Sequence, residues 1–422
     1  MTSFRAAVPR LAPPPYLFYP GLERRWKTVV EANSDVSLAT FTVATYNVLS
    51  DEQIRLNPNL YRHLPPWVLS WEYRFRHLLQ EIAYFKPDIV CFQEIDNNHY
   101  NTYFERHLGS QGYEGCYKRR TGEKPDGCAI FWNRRLFERH LVHPVEFKRD
   151  GIATLDRDNV GLISILTTPT THHRHALCIV NTHLLYNEKR GEIKLAQLAL
   201  LLAETDRACS HFRRTHPDRH LFTILCGDLN LMPFSGIYNF IHRQRIDYHG
   251  ANRTMLSGQS RRASSGEPKS SYILSSPLLP KLLTSDCKFI EKEEEEEEKG
   301  PRPLVHSFPF VSVYGHVSER GNPEVTTYLL KGTQETVDYI FYTPHSFSPP
   351  LPRRPGNEGE CYLRANAKRA LIDRDALRYH GYLPNVYMPS DHQLLQAQFS
   401  IVSRRTYRGR GRGRGWSRKR DT

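Results

Sequence analysis

Nine side chains able to hold a cation, move a proton or bind a phosphate oxygen stand at or beside the ends of short apolar runs: Asn47, Glu94, Asn181, His183, Asp228, Asn230, Asp338, Asp391 and His392. Phe41–Asn47 runs straight into an amide, Asp88–Glu94 into a carboxylate, and Ile179–His183 into an amide and an imidazole. Alone, Glu94 reads more readily as a solvated strand end, and His183 more often as a hydrogen-bonded core residue than as a catalyst. Leu221–Asn230 is more specific. Gly227 lets the chain turn sharply as it leaves a sheet, and the two-residue spacing can aim Asp228 and Asn230 into one crevice. There the carboxylate could take a proton from water while the amide holds a phosphate oxygen. An Asx-turn would use the same two residues. Asp338 lies inside the apolar run Val337–Phe341, where an isolated charge is costly without a partner. His392, in Ser390-Asp-His392, supplies one, and a carboxylate-paired imidazole keeps its proton to stabilise an oxyanion or protonate a leaving group. A purely structural Asp–His bond is the alternative.

Accumulation decides between these readings, because all nine fall at strand edges of one body and ligands of sheet proteins bind in such crevices. Oxygen donors without a cysteine or multi-histidine set favour a hard cation, so Mg²⁺, or else Mn²⁺, is expected rather than zinc. The eight cysteines show no C-x-x-C pair and several sit inside apolar runs, so neither a zinc knuckle nor a disulfide framework is indicated. His172, His173 and His175 fall in an expected turn and read as surface residues.

The elements that must position these groups follow from hydrophobic periodicity. Eight β-branched or apolar runs read as core strands: Phe41–Val48, Asp88–Phe92, Cys128–Trp132, Gly161–Leu166, Ala176–Leu185, Leu221–Cys226, Val337–Tyr342 and Leu394–Phe399. Trp71–Phe85 and Glu192–Ala208 carry apolar residues at helical spacing. Strands interleaved with helices predict an α/β layered domain.

Composition divides the 422 residues into a Pro-rich lead over residues 1–37, expected to lack structure, and a body over 38–402. The body is interrupted by a low-complexity acidic insertion at about 255–303, and an Arg/Gly-rich tail follows over 403–422. The net charge of +13 is uneven. Residues 404–422 hold nine Arg or Lys against Asp421, and Glu291–Lys299 holds seven Glu against two Lys, so the remainder carries about +10. A polyanionic partner is the economical inference, and a solvated basic surface is the bland one. No run is long and apolar enough to span a membrane, and no secretory leader opens the chain, so a soluble cytoplasmic protein without membrane partners is expected.

In order along the chain, Thr45-Tyr-Asn-Val-Leu-Ser50, Gln93-Glu94, Lys124-Pro-Asp-Gly-Cys-Ala-Ile130, Asn181-Thr-His-Leu-Leu-Tyr-Asn187, Gly227-Asp-Leu-Asn230, Thr336-Val-Asp-Tyr-Ile-Phe-Tyr342 and Ser390-Asp-His392 resemble the endonuclease/exonuclease/phosphatase superfamily. Within it they are similar to the branch of Ccr4-type deadenylases, nocturnin and the Angel proteins. Leu155–Gly161 and Glu324–Thr327 look particularly like Angel proteins. The resemblance implies a two-sheet β-sandwich flanked by helices, a four-layer α/β/β/α fold with its site at one edge. It also implies that Glu94 binds Mg²⁺ with Asn47, that Asp391 stands at a second metal position, and that Asp228 activates water. Asn181, His183 and Asn230 would hold phosphate oxygens, and His392, oriented by Asp338, would stabilise the transition state. For substrate it implies RNA 3′ ends, with hydrolysis of 2′,3′-cyclic phosphate on the Angel pattern. The first alternative is a 3′-to-5′ exoribonuclease of the Ccr4 type, and the second a noncatalytic mRNA-binding protein with a vestigial site. Deadenylases carry a base-stacking aromatic shortly before the Val-Asp-Tyr aspartate, whereas Leu330–Thr336 has none.

Tyr407–Trp416 alternates guanidinium groups at Arg408, Arg410, Arg412 and Arg414 with glycine between two aromatics. Such a segment suits sequence-tolerant contact with RNA. Ser417–Arg420 is a candidate nuclear address. Tyr73, Leu78 and Leu79 match the tyrosine-x4-leucine-hydrophobic pattern that docks on the cap-binding translation factor, but they also form the apolar face of a helix, where burial is the expected use. A monomer is expected.

Overall fold

The computed structural model describes residues 12, 14–30, 35–168, 175–259, 273–274, 303–330, 334–346 and 361–403. In chain order its strands are β1 (Trp26–Thr28), β2 (Val36–Asn47), β3 (Ile89–Asp96), β4 (Tyr113–Arg119), β5 (Asp126–Asn133), β6 (Glu138–Glu146), β7 (Val160–Thr167), β8 (His175–His183), β9 (His220–Asp228), β10 (Arg245–Ile246), β11 (Leu304–Val305), β12 (Val311–Ser312), β13 (Thr327–Tyr328), β14 (Gln334–Glu335), β15 (Asp338–Tyr342), β16 (Cys361–Arg369) and β17 (Leu395–Ser403). One sheet runs β1-β16-β17-β2-β3-β5-β4 and the other β12-β15-β9-β8-β7-β6. Each is mixed, with one parallel pair at its centre, β2 with β3 and β8 with β9.

Alternation along the central strands explains the stacking. Val43, Ile89, Cys91, Ile179, Ile224 and Ile340 meet between the two sheets. Their neighbours Ala44, Val90 and Phe92 turn outward onto the Trp71–Phe85 helix, while Val180, Leu225 and Phe341 turn outward toward the Gly191–Thr215 helix. Strands covered on both faces must be apolar at every position, which is why they read as continuous runs. The Trp71–Phe85 helix ends where Lys86 takes a left-handed conformation (φ 45°) ahead of Pro87. These layers confirm the expected α/β/β/α sandwich.

All eight expected strands form, and several further elements appear. Strands β4, β6 and β16 lie at or next to sheet edges with one face half-exposed, so their sequences alternate instead of running apolar. Part of the lead segment is structured, against expectation: within residues 14–30 Tyr16 is fully buried and β1 pairs with β16, whereas residues 1–11, 13 and 31–34 lie outside the described residues. Tyr16 and Tyr46 both donate hydroxyl hydrogen bonds to the buried Glu81 carboxylate. The insertion begins later than composition suggests. Leu256 is buried, and the carbonyls of Leu256 and Ser257 accept from Ile237 and Met232, whereas residues 260–272 and 275–302 lie outside the described residues. His175 is fully buried at the start of β8, not on the surface. His172, His173 and the 404–422 tail lie outside the described residues. Leu78 and Leu79 are buried, as a core helix face requires. Among the described residues seven cysteines are buried and free of disulfides, and no helix is long and apolar enough to cross a membrane.

Gly227 marks the most confined point of the frame. Its φ is +144°, and a Cβ there would lie 2.0 Å from the Thr182 carbonyl oxygen. Gly227→Ala should lower the unfolding free energy by roughly 2–4 kcal/mol through strain and overpacking, measured by denaturant titration. Wild-type stability in that variant would show that β8 and β9 can separate freely.

Candidate active site

Strand register builds half of the site. Antiparallel pairing sets Asp338 opposite Asp228, and parallel pairing sets His183 opposite the same residue, so three polar groups form a row across β8, β9 and β15. Beyond Asp228 the chain turns through Leu229 to Asn230, whose φ of 49° is left-handed. The other sheet supplies the facing wall. Strand β2 ends at Asn47 beside Gln93, and a register shift between Phe92 and Ile95 frees Glu94, at φ 59°, from the ladder. The Ser390–His392 loop closes the gap: Ser390 Oγ donates to the Asn47 carbonyl at 2.6 Å, and the Asp391 carbonyl accepts from Thr327 Oγ1 at 2.9 Å. Strained backbone at Glu94 and Asn230 persists only where surrounding structure over-determines it.

These residues line one cavity of about 150 Å³, which Glu94, His183, Asp228, Asn230, Asp391 and His392 share with Tyr61, Arg120, Tyr186 and Glu335. Asn47 Nδ2 donates to Glu94 Oε1 at 3.0 Å and to Asp228 Oδ2 at 3.1 Å. Glu94 Oε2 accepts from the Ser50 amide at 3.0 Å. Asn230 Nδ2 donates to His183 Nε2 at 3.1 Å, and the Asn230 amide donates to Asp228 Oδ1 at 3.1 Å. His392 Nδ1 donates to Asp338 Oδ2 at 2.8 Å, leaving Nε2 3.7 Å from Asp228 Oδ2 and 3.9 Å from Asp391 Oδ1.

Burial in this crowd sets the protonation states. Burial raises the Glu94 carboxyl to about 8, with Asp391 and Asp126 adding to the rise. Burial and then Asp338 push Asp228 up to about 7, against the opposing pull of His392. A carboxylate near neutrality is suited to exchanging a proton with water. Burial, Arg120 and His392 together lower His183 to about 3, so its ring is neutral. With Nε2 accepting from Asn230, its proton sits on Nδ1, 3.8 Å from Glu94 Oε1. His392 is the opposite case. Burial works against its charge, but Asp338, Asp391 and Asp228 outweigh that and hold it charged well above the usual imidazole range.

Two sequence expectations change. Asn181 does not reach the cavity to hold phosphate. It is fully buried between the sheets, donating to the Phe92 and Ala129 carbonyls at 2.8 and 2.9 Å and accepting from Gln93 Nε2 at 2.7 Å, so every polar atom of its amide is used in joining them. Asn47 turns nitrogen, not oxygen, toward the two carboxylates, because its Oδ1 accepts from the Leu49 amide; it bridges the acids. Sequence reasoning misses Tyr61, Arg120 and Tyr186. Tyr61 donates to Asp391 Oδ2 at 2.8 Å and Arg120 pairs with Asp126 at 3.3 Å. Their only sequence signal is nearness to recognised motifs, in segments without periodicity.

The donor set fits a hard divalent cation. Glu94 and Asp391 are buried carboxylates on one side of the cavity, and Asp391 Oδ1 has no hydrogen-bond partner among the described residues. Asp228, Asp338 and His392 also present ligand atoms within 4.8 Å of one another, but the Asp338–His392 hydrogen bond occupies that pair. A cation on the Glu94–Asp391 side would relieve the repulsion that raises Glu94.

The sequence and the fold have counterparts among known proteins. Protein angel homolog 2 of Danio rerio is 38% identical over 376 residues, an alignment covering 86% of this chain and 64% of that protein. The human protein of the same name is 37% identical over 390 residues, covering 86% and 69%. The chain thus spans about two thirds of the length of these relatives. A crystal structure of ANGEL2, described as a 2′,3′-cyclic phosphatase in complex with adenosine-2′,3′-vanadate, superposes with a TM-score of 0.73 at 37% identity, covering 90% of this chain and 98% of that one. The human nocturnin catalytic domain shares the fold, with a TM-score of 0.54 at 19% identity over 92% of this chain and 100% of that one. Residues 44–392, which contain every acidic and imidazole group of the cavity, match the pattern of the Endonuclease/Exonuclease/phosphatase family, and the chain belongs to that family.

Proposed function

We propose that this protein is a divalent-cation-dependent phosphoesterase that opens 2′,3′-cyclic phosphates at RNA 3′ ends. The observation that carries the reading is the buried row of neutral His183, near-neutral Asp228 and charged His392 beside the Glu94–Asp391 carboxylates. Similarity to a 2′,3′-cyclic phosphatase over most of both chains supports the substrate.

In this scheme Asp228 Oδ2 takes a proton from the attacking water. His392 Nε2 faces the phosphate oxygens, and Asn230 Nδ2, which donates to His183 Nε2 and the Leu184 carbonyl, holds the neutral His183 ring beside them. His392, held charged by Asp338, donates to the oxygen that gains charge as one phosphorus–oxygen ester bond breaks. One water is consumed, and its proton ends on the freed ribose hydroxyl. Arg120, at the cavity wall, adds positive charge near the phosphate. Glu94 and Asp391 would hold Mg²⁺, which supplies charge neutralisation at phosphorus when bound.

A purified sample incubated with Mg²⁺ and RNA ending in cyclic phosphate should convert the end without shortening the chain. An oligo(A) substrate degraded to a ladder, with cyclic ends untouched, would favour the exoribonuclease reading instead. Asp228→Asn should reduce conversion by about 10²–10⁴-fold, because an amide cannot accept the proton. Full activity would remove Asp228 from the role.

The raised carboxyls also predict a linkage. Glu94 and Asp228 titrate near 8 and 7 in the folded chain, against 4.5 and 3.8 ordinarily. The native state therefore holds more protons than the unfolded one across this window, and cation-free stability is lost as pH rises through it. A bound cation replaces those protons, so Mg²⁺ should raise the thermal midpoint more at about pH 8 than at about pH 6. Equal shifts at both would contradict carboxylate ligation.

The Arg/Gly tail supplies a sequence-tolerant RNA grip in this reading, acting on a monomeric, cytoplasmic or partly nuclear enzyme. Deleting residues 404–422 should weaken RNA binding and flatten its salt dependence in filter binding at several salt concentrations. Unchanged affinity and slope would refute the grip.

A further inference from the structure

One charged side chain near the cavity has no part in the scheme above. Lys194, in the first turn of the Gly191–Thr215 helix, is fully buried. An ammonium in that position is costly unless its donors are matched to acceptors. Its Nζ donates to the Asn230 carbonyl at 2.7 Å and to Gln259 Oε1. Gln259, itself buried, donates through Nε2 to Glu335 Oε2 at 2.8 Å, and both residues line the cavity. Lys194 therefore joins the turn after β9 to the chain at Gln259, and through Gln259 it is linked to Glu335 of β14. Asn230 needs such an anchor. Its φ of 49° lies in a region that side-chain-bearing residues seldom adopt, and its amide group is aimed at His183 and the Leu184 carbonyl from that backbone. Burial also lowers the ammonium to about 7, against the pull of Asp228 and Glu335. An apolar side chain would fill the same helix position without that penalty.

Resting on the proposed phosphoester hydrolysis, we infer that Lys194 is a positioning residue, which pins the strained Asn230 peptide so that the Asn230 side-chain amide holds the neutral His183 ring in place at the cavity. It touches neither substrate nor cation.

The test is a double-mutant cycle in the full chain. Lys194→Met, of similar length and apolar, should lower kcat for cyclic-phosphate RNA by about 10- to 100-fold with KM changed much less. In an Asn230→Ala background the same substitution should cost less than about threefold, since nothing remains for it to position. Equal losses in both backgrounds would overturn the inference and leave Lys194 with a general structural role. Gln259→Leu leaves the lysine in place, guarding against a folding failure of Lys194→Met, and should show a smaller loss that also disappears with Asn230→Ala. Persistence of that loss counts against the inference. A readout independent of turnover separates this idea from the reading beneath it. In protein carrying ¹⁵N-asparagine, the Asn230 side-chain amide resonances should shift or broaden in Lys194→Met or Gln259→Leu whether or not the wild type hydrolyses RNA. Unmoved resonances overturn the positioning role, whereas an inactive wild type with moved resonances overturns only the substrate.

Discussion

Two buried carboxylates, Asp228 and Asp338, stand opposite one another on neighbouring strands. Like charges so placed cannot both ionise without a cation between or beside them. His392 is that cation within the chain, bonded to Asp338 and within 4 Å of Asp228. The Ser390–His392 loop is thus fixed by an electrostatic demand as well as by its hydrogen bonds to Asn47 and Thr327. Glu94 and Asp391 are met by hydrogen bonds from Asn47, Ser50 and Tyr61, and His392 lies 3.9 Å from Asp391, yet Asp391 still adds to the rise of the Glu94 carboxyl.

The sandwich makes this crowding tolerable. Three apolar layers, one between the sheets and one under each helical face, surround the rim where the acids lie. The amide of Asn181 stitches the two sheets together just behind the cavity floor, spanning from β8 to the carbonyls of β3 and β5. Rigidity there matters because a small shift between the sheets would separate Glu94 from Asp228, and positioning of reacting groups is sensitive at the scale of an ångström.

Much of this is legible in the amino-acid sequence alone. Two-sided burial writes continuous apolar runs, so the eight central strands and both main helices can be read directly, and polar residues at the ends of those runs point to one rim. The edges are less visible. Strands such as β6 and β16 keep one face toward solvent, and their mixed composition resembles loops. Residue roles follow the same division. Asp228, His183 and Asp338 can be placed because register is periodic, whereas Tyr61, Arg120 and Lys194 enter from irregular segments or from a helix face that periodicity assigns to the core. Asn181 shows the converse failure: family pattern marks it as a phosphate ligand, but a side chain pointing between two sheets serves the sheets.

Glu81 ties the start of the chain to this centre. Its carboxylate receives hydroxyls from Tyr46, one residue before Asn47, and from Tyr16 in the Pro-rich lead. Burial raises its pKa, and those two phenols oppose the rise. An expression boundary drawn at residue 38, where composition first looks globular, would therefore strip one phenol from a buried acid of the Trp71–Phe85 helix. A piece that keeps both hydroxyl hydrogen bonds to Glu81 must include Tyr16.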